Sequence, residues 1–388
     1  MASSHSLPQD IITEILSWLP VKSIIRFDGL SKSWSSIFQT PLFIEKHLRC
    51  STQNSHSLFL QRWDDESHGI FYNPHKIIFL SKTIGPQFER PFNFDIIIGV
   101  SNGLVCCSSA VYDIYGSLFL WNPATRKCRR IPQPKFRVGL TDFCFGFCFN
   151  SNDNDYKIVQ LDAFGSVEMF SLRSGSWKEI GLSNCECECS SNNLSVNVSG
   201  CMFWIVKRNE ESCILSFDTG SEEYEIFTVP SYNESAKMKL ELYENSLALL
   251  VDSVIGPSYS VDLWVLDVQQ RSGKFCLTEK SNPKPLCSGF LGNHWKKIHT
   301  VELASISQYP IGIWQNELLF QEGQFIYGHG GFKVRVPSSG HSSPRSFFFV
   351  FTYEESLVSL DGGGVDEMLM QAYFDDFLES LASLFQEE

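Results

Sequence analysis

An aromatic residue recurs at nearly constant intervals along most of this 388-residue chain, and no other feature limits the possible fold as tightly. Trp121 is followed at +7 by Cys128 and at +10 by Ile131. Phe170 is followed in the same way by Trp177 and Ile180, and Phe217 by Tyr224 and Phe227. Tyr72-Asn73-Pro74 mirrors Trp121-Asn122-Pro123, with Phe79 at +7. Trp264 opens a fifth copy, whose Trp295 and Ile298 keep the step after an insertion. Successive starts lie 49, 49, 47 and 47 residues apart. Turn pairs stand 17 to 19 residues ahead of several starts: Asn102-Gly103, Ser199-Gly200 and Asn245-Ser246, with Asn316-Glu317 before Leu318-Leu319-Phe320 as another. Between the turns lie short apolar runs of strand character, such as Leu104-Val105-Cys106-Cys107 and Leu118-Phe119-Leu120-Trp121. Four strands in a unit of about 48 residues predict a β-propeller, because the unrelated strands of an irregular sandwich keep no constant step. One such unit cannot bury both its faces. Stacked units can, with the +7 aromatic between neighbours, and their loops are then free to hold a ligand.

The first fifty residues follow another rule. Ile11 and Ile15, and Ile12 and Leu16, are spaced at i, i+4, and Leu19 completes a helical stripe. Pro20 ends that helix. Val21, Ile24, Ile25 and Phe27 give a second short helix. Ser31 can cap a third carrying Trp34, Ile37 and Phe38, and Thr40-Pro41 opens a fourth with Leu42, Phe43, Ile44 and Leu48. So many large apolar side chains exceed what a module this small can bury alone, so they need a second surface. The rest of the chain could provide it, or another protein.

Leu7-Pro8, Glu14-Ile15-Leu16, Leu19-Pro20-Val21-Lys22-Ser23, Arg26-Phe27 and Ser31-Lys32-Ser33-Trp34 closely resemble the F-box of plant F-box proteins. The resemblance implies a three-helix module that docks on a Skp-family adaptor and, through it, on a cullin. Leu7, Pro8, Ile12, Leu16, Leu19, Pro20, Val21 and Ile24 are expected to face the adaptor, while Ile11, Ile15 and Trp34 serve equally well as the module's own core. Asp28 and Ser35 stand where the family usually has a basic residue, and Gly29-Leu30 where it has Cys-Val. Beyond the helices, Asn102-Gly103-Leu104-Val105-Cys106, Leu120-Trp121-Asn122-Pro123-Ala124-Thr125-Arg126-Lys127, Phe145-Gly146-Phe147, Asp155-Tyr156-Lys157-Ile158-Val159, the stretch from Val167 to Trp177, and Ile214-Leu215-Ser216-Phe217-Asp218 resemble the plant F-box-associated, kelch-like domain. Tyr353-Glu354-Glu355-Ser356-Leu357-Val358-Ser359-Leu360 is similar to that family's closing strand. The expected organisation is α+β and multidomain: a helical F-box at 1–50, a connector at 51–57, an all-β, propeller-like domain at 58–360, and an acidic amphipathic tail helix at 361–388.

A net charge of −13 and a pI of about 5.2, with no long run of Lys or Arg, argue against nucleic acid as a partner. No stretch approaches the 18 apolar residues of a membrane span, and Met1 to Ser6 lack the apolar core of a signal peptide. The 13 cysteines read as buried thiols of a cytoplasmic or nuclear protein. Cys185-Glu186-Cys187-Glu188-Cys189 is spaced too closely for a usual zinc site, unless Cys201 or Cys213 folds against it. Gly328-His329-Gly330-Gly331 suggests an oxyanion loop, but no Gly-x-Ser-x-Gly elbow accompanies it. Asp64-Asp65-Glu66 and Asp153-Asn154-Asp155 read as solvated acidic loops. No catalytic residue, cofactor or metal is expected.

The resemblance therefore implies a non-catalytic substrate receptor of a Skp–cullin–F-box ubiquitin ligase, gripping an unidentified target protein with its β domain. Two other readings stay open. One is a hydrolase or sugar binder built on a propeller, which would need convergent acids, a tyrosine or a metal. The other is an F-box binding module that acts outside any ligase.

Overall fold

The structure, a computed structural model, describes residues 8–54, 57–64, 77–81, 96–109, 117–135, 143–162, 166–181, 187–189, 193–232, 236–255, 258–266, 295–303, 308–322, 325–328, 333–335 and 346–360. Four helices come first: α1 (Gln9–Ser17), α2 (Val21–Asp28), α3 (Lys32–Phe38) and α4 (Pro41–Asn54). Pro8 and Pro20 precede α1 and α2, and Pro41 opens α4, positions where a missing N–H costs nothing. The fourth helix runs on to Asn54, into the stretch read as a connector.

Strands follow. β1 (Ser57–Asp64) pairs with β2 (Ile77–Ser81). Next come β3 (Ile96–Ser101), β4 (Leu104–Ser109), β5 (Ser117–Asn122) and β6 (Lys127–Arg130), which form one antiparallel meander. A second meander holds β7 (Phe143–Asn150), β8 (Asp155–Asp162), β9 (Ser166–Ser171) and β10 (Ser176–Gly181). After the short β11 (Glu188–Cys189) and β12 (Asn193–Leu194) come β13 (Val196–Val198), β14 (Cys201–Arg208), β15 (Glu211–Asp218) and β16 (Glu223–Thr228). The next sheets contain β17 (Lys237–Tyr243), β18 (Ser246–Ile255), β19 (Ser258–Leu266) and β20 (Trp295–Leu303), then β21 (Gln308–Trp314), β22 (Glu317–Glu322), β23 (Phe325–Gly328) and β24 (Lys333–Arg335). The last strand, β25 (Ser346–Tyr353), returns to pair with β1. This succession of local meanders, with the two ends of the domain sharing a sheet, is a β-propeller behind a helical module. Contacts divide the chain into two units. One contains α1–α4, β3–β6 and residues 351–360, and the other contains β7–β24.

The repeat read from the sequence is a hairpin register. Trp121 lies opposite Cys128, Phe170 opposite Trp177, and Phe217 opposite Tyr224. The +10 residue meets the residue three before the aromatic each time: Ile180 faces Val167, Phe227 faces Ile214, and the Ile131 N–H donates to the Leu118 carbonyl. The fifth copy departs from this. A register shift between Leu263 and Trp264 places Lys297 opposite Trp264, and Trp295 opposite Leu266. At the first copy, Phe79 lies opposite Phe59, while Tyr72 to Pro74 lie outside the described residues.

The residue after each aromatic fixes the turn. The Asn122 Oδ1 accepts the N–H groups of Ala124 and Thr125, and the Asp218 Oδ1 those of Gly220 and Ser221. The Ser171 Oγ accepts the Ser174 N–H. Each loop then closes on a left-handed residue, Arg126, Gly175 or Glu222. Two-residue turns with both φ values positive join other strands: Asn102-Gly103, Ser199-Gly200, Asn209-Glu210, Glu244-Asn245 and Gln315-Asn316. The last two correct the sequence reading by one residue, because Tyr243 pairs with Ser246 and Trp314 with Glu317. Asparagine sits at the second turn position there, tolerating the left-handed conformation by local hydrogen bonding.

Apolar faces meet between successive sheets. Met202, Trp204, Leu215 and Phe217 pack with Cys144, Cys148, Val159 and Met169, and Tyr224 packs against the same cluster, as expected of a +7 aromatic. Val198, Phe203 and Ile214 pack with Leu240, Leu247 and Leu249. Ala248, Leu250, Val261 and Leu263 pack with Ile313 and Phe320. Each such buried Leu, Ile or Phe contributes about 1.5–3 kcal/mol.

Asp155 is not the solvated loop residue the sequence suggested. It is 4% exposed, accepts the Ser171 hydroxyl and the Arg173 N–H, and pairs with the Lys157 Nζ at 2.9 Å. Burial alone would raise its pKa. The bonds from Ser171, Lys157 and Arg173 outweigh that and hold its carboxyl below the usual aspartate value. A lowered folded-state pKa gives stability above the unfolded value of about 3.9 and loses it as pH falls through the folded value. Asp155→Asn should therefore lower the melting temperature at pH 7, and the gap from wild type should narrow as pH falls below the unfolded value of about 3.9. A second expectation concerns Gly103, whose φ is +80° and whose added Cβ would lie 2.2 Å from Ser356 Cβ and Oγ. Gly103→Ala should cost more than about 2 kcal/mol in denaturant unfolding. Gly181→Ala, with nothing within 4 Å of the added carbon, should be tolerated.

Candidate partner-binding surface

The helical module divides its apolar residues between two stripes. Leu16, Ile24, Phe38 and Phe43 form its core, with Ile12, Leu19, Phe27, Trp34 and Ile37 packed around them. Phe27 and Trp34 meet edge to face at 5.8 Å. On α1, the inward stripe of Ile12, Leu16 and Leu19 has a twin displaced by one residue: Ile11, Ile15 and, just past the helix, Trp18. These three are 47%, 52% and 47% exposed. Both stripes keep helical spacing, so periodicity cannot tell which one faces the core.

The expected adaptor-facing set therefore splits. Leu16, Val21 and Ile24 are buried at 5%, 0% and 1% and present no surface to a partner in this conformation. Ile12 and Leu19 are half-buried at the edge of the core, while Pro8 and Pro20 are exposed. Leu7 lies outside the described residues. Ile11 and Ile15, offered as candidate core residues, instead face outward, while Trp34 packs against the core. Ile25 on α2 and Leu30 after it, 45% and 71% exposed, are further outward apolar groups that the sequence reading did not select.

Polar groups brace the module. Glu14 pairs with the Lys46 Nζ at 2.5 Å and accepts the Trp18 Nε1–H at 3.1 Å, fixing the indole on the outer face. The bond from Lys46, then that from Trp18, holds the Glu14 carboxyl below its ordinary range. His47 is buried against Phe43, and burial lowers its pKa. The neutral ring donates its Nε2–H to the Leu19 carbonyl at 2.9 Å, tying α4 to the turn before α2.

Among the described residues, the other candidate chemistry does not assemble. Cys187 and Cys213 are buried side by side, and the Cys187 thiol, then burial, pushes the Cys213 thiol up, which makes for an inert pair. Among the described residues, no cluster of His, Cys, Asp and Glu could hold a metal ion. Cys185, Glu186, His329, Gly330, Gly331, Asp65, Glu66 and the predicted tail helix lie outside the described residues.

A helical module with an apolar outer face, joined to a propeller with this repeat, has clear counterparts. The model of the F-box associated beta propeller domain matches residues 73–360, and that of the F-box domain matches residues 4–46. The chain belongs to the F-box-associated β-propeller family. It is 28% identical over 247 residues to an Arabidopsis thaliana F-box protein, covering 60% of this chain and 64% of the relative. A putative F-box only protein 15 of the same organism is 28% identical over 57% of this chain and 58% of its own length. The chain thus spans less than two thirds of these two relatives. A putative F-box/kelch-repeat protein of Arabidopsis thaliana is 23% identical over 94% of this chain and 98% of its own.

The two stripes of α1 should respond differently to truncation. Leu16→Ala should destabilise the helical module by about 2–5 kcal/mol, whereas Ile15→Ala should change its stability by less than about 0.5 kcal/mol. Denaturant-dependent amide hydrogen exchange of residues 9–54 in the full chain measures the difference.

Proposed function

We propose that this chain is the substrate-recognition subunit of a Skp–cullin–F-box ubiquitin ligase. Its helical module would dock on a Skp-family adaptor, and through it a cullin, and its β domain would hold a target protein. The observation that carries the reading is the outward stripe of Ile11, Ile15 and Trp18 on an F-box whose own core is already complete. Such a stripe is left in water unless a second protein covers it. Pro8 and Pro20 flank the same helix and are also exposed, so the adaptor-facing surface is drawn around these five residues, with Ile12 and Leu19 at its edge. Each large apolar side chain removed from water there contributes about 1.5–3 kcal/mol before ordering costs.

On this reading the chain performs no bond chemistry. It brings a lysine of the captured protein close to a charged ubiquitin-carrying enzyme, and the rate gain comes from proximity and orientation. The role belongs to the cytoplasm or nucleus, where the ubiquitin system works.

Full-length chain carrying Ile11→Asp and Ile15→Asp, exposed positions where a charge leaves the fold intact, should lose co-purification with a Skp-family adaptor at least tenfold. The wild type should bring down adaptor and cullin together. Undiminished adaptor capture by the double variant would refute the assigned face, and adaptor captured without cullin would refute the ligase role.

A further inference from the structure

The segment expected to be a closing strand leaves the sheet at Tyr353, and residues 354–360 run on without regular structure. Its side chains divide between two neighbours. The buried Tyr353 ring packs with Phe59 of β1 at 5.3 Å, and towards the sheet of β3–β6 its hydroxyl accepts the Ala124 N–H at 3.1 Å. The Asn122 Nδ2 donates to the Ser356 and Val358 carbonyls at 3.1 and 2.9 Å, and the fully buried Ser356 lies against Gly103. Towards the helices, Glu354 accepts the Thr52 hydroxyl of α4 at 3.0 Å, and Leu357 packs on the cluster of Leu16, Ile24, Phe38 and Phe43. Helix α2 has no acidic residue in its first turn and no side-chain cap of its own. Glu355, 334 positions along the chain, supplies both: its Oε2 accepts the Val21 N–H at 3.2 Å at the positive end of the helix.

From this two-sided packing we infer that residues 353–360 are a clamp that holds the F-box at one orientation against the β3–β6 sheet. Glu355 and Leu357 act as positioning residues on its helical side. The helices are then not a tethered bead on the chain passing from α4 to β1. An adaptor docked on α1 is held at a fixed angle to the first blade. That consequence for target presentation rests on the receptor reading, whereas the clamp itself does not.

The test measures the distance distribution between spin labels carried by noncanonical residues at the exposed positions Lys22 and Lys127 of the full chain, with no adaptor present. The wild type should give one narrow distribution. Glu355→Ala with Leu357→Ser should widen it at least twofold, while the thermal transition of the β domain stays in place. Glu354→Gln with Glu355→Gln, which keeps the packing, serves as the milder second variant and should widen it less. A broad distribution in the wild type, or an unchanged width in both variants, would overturn the inference. Loss of adaptor binding with the clamp intact would instead count against the proposed function alone.

Discussion

One carboxamide, that of Asn122 on β5, ties the β3–β6 sheet to the segment that follows β25. Its oxygen closes the turn after β5 and its nitrogen holds the carbonyls of Ser356 and Val358. It is 0% exposed, so each of these bonds forms where water cannot substitute and where an unpaired partner would cost about 1–3 kcal/mol. Asn150 repeats the logic: its Oδ1 accepts the Asn152 N–H, and its Nδ2 donates to Thr219, whose hydroxyl bonds the Gly200 carbonyl. A polar residue behind an aromatic at the end of a strand, β5 or β7, thus does two jobs, shaping its own turn and anchoring a later segment. The apolar interfaces carry most of the propeller's stability, and these buried amides and hydroxyls fix which segments meet.

The part of the fold written locally was legible from the sequence. A +7 aromatic spacing is a four-residue turn plus a fixed antiparallel register, both set by residues close in sequence, so Trp121, Phe170 and Phe217 announced their hairpins. The fifth copy was misread because the bulge at Leu263 and Trp264 breaks that register, and spacing alone does not reveal a bulge. The turns at Glu244-Asn245 and Gln315-Asn316 were placed one residue late. Composition favours Asn as the first turn residue, whereas the pairing of Tyr243 with Ser246 and of Trp314 with Glu317 puts it second.

Which apolar stripe of α1 stays exposed was less legible, for a physical reason. Helix α1 carries two apolar stripes one residue apart, and the inner one is selected by Phe38, Phe43 and Leu357, which lie far away in sequence. The exposed Leu30, in the stretch where the chain departs from the usual F-box pattern, lies next to a shallow groove of about 370 Å³ lined by Asp28, Ser35 and Gln39. The buried Asp155 was hidden because three partners, Ser171, Arg173 and Lys157, together turn an acidic loop residue into an internal brace.

The central claim is that the outer stripe of α1, rather than the inner one, meets a second protein. Amide hydrogen exchange on the full chain, with and without a purified Skp-family adaptor, tests it most directly. Binding should slow exchange across residues 9–19 and around Leu30, leaving the β7–β24 sheets unchanged. Slowed exchange confined to the propeller strands, or no change anywhere at saturating adaptor, would contradict it.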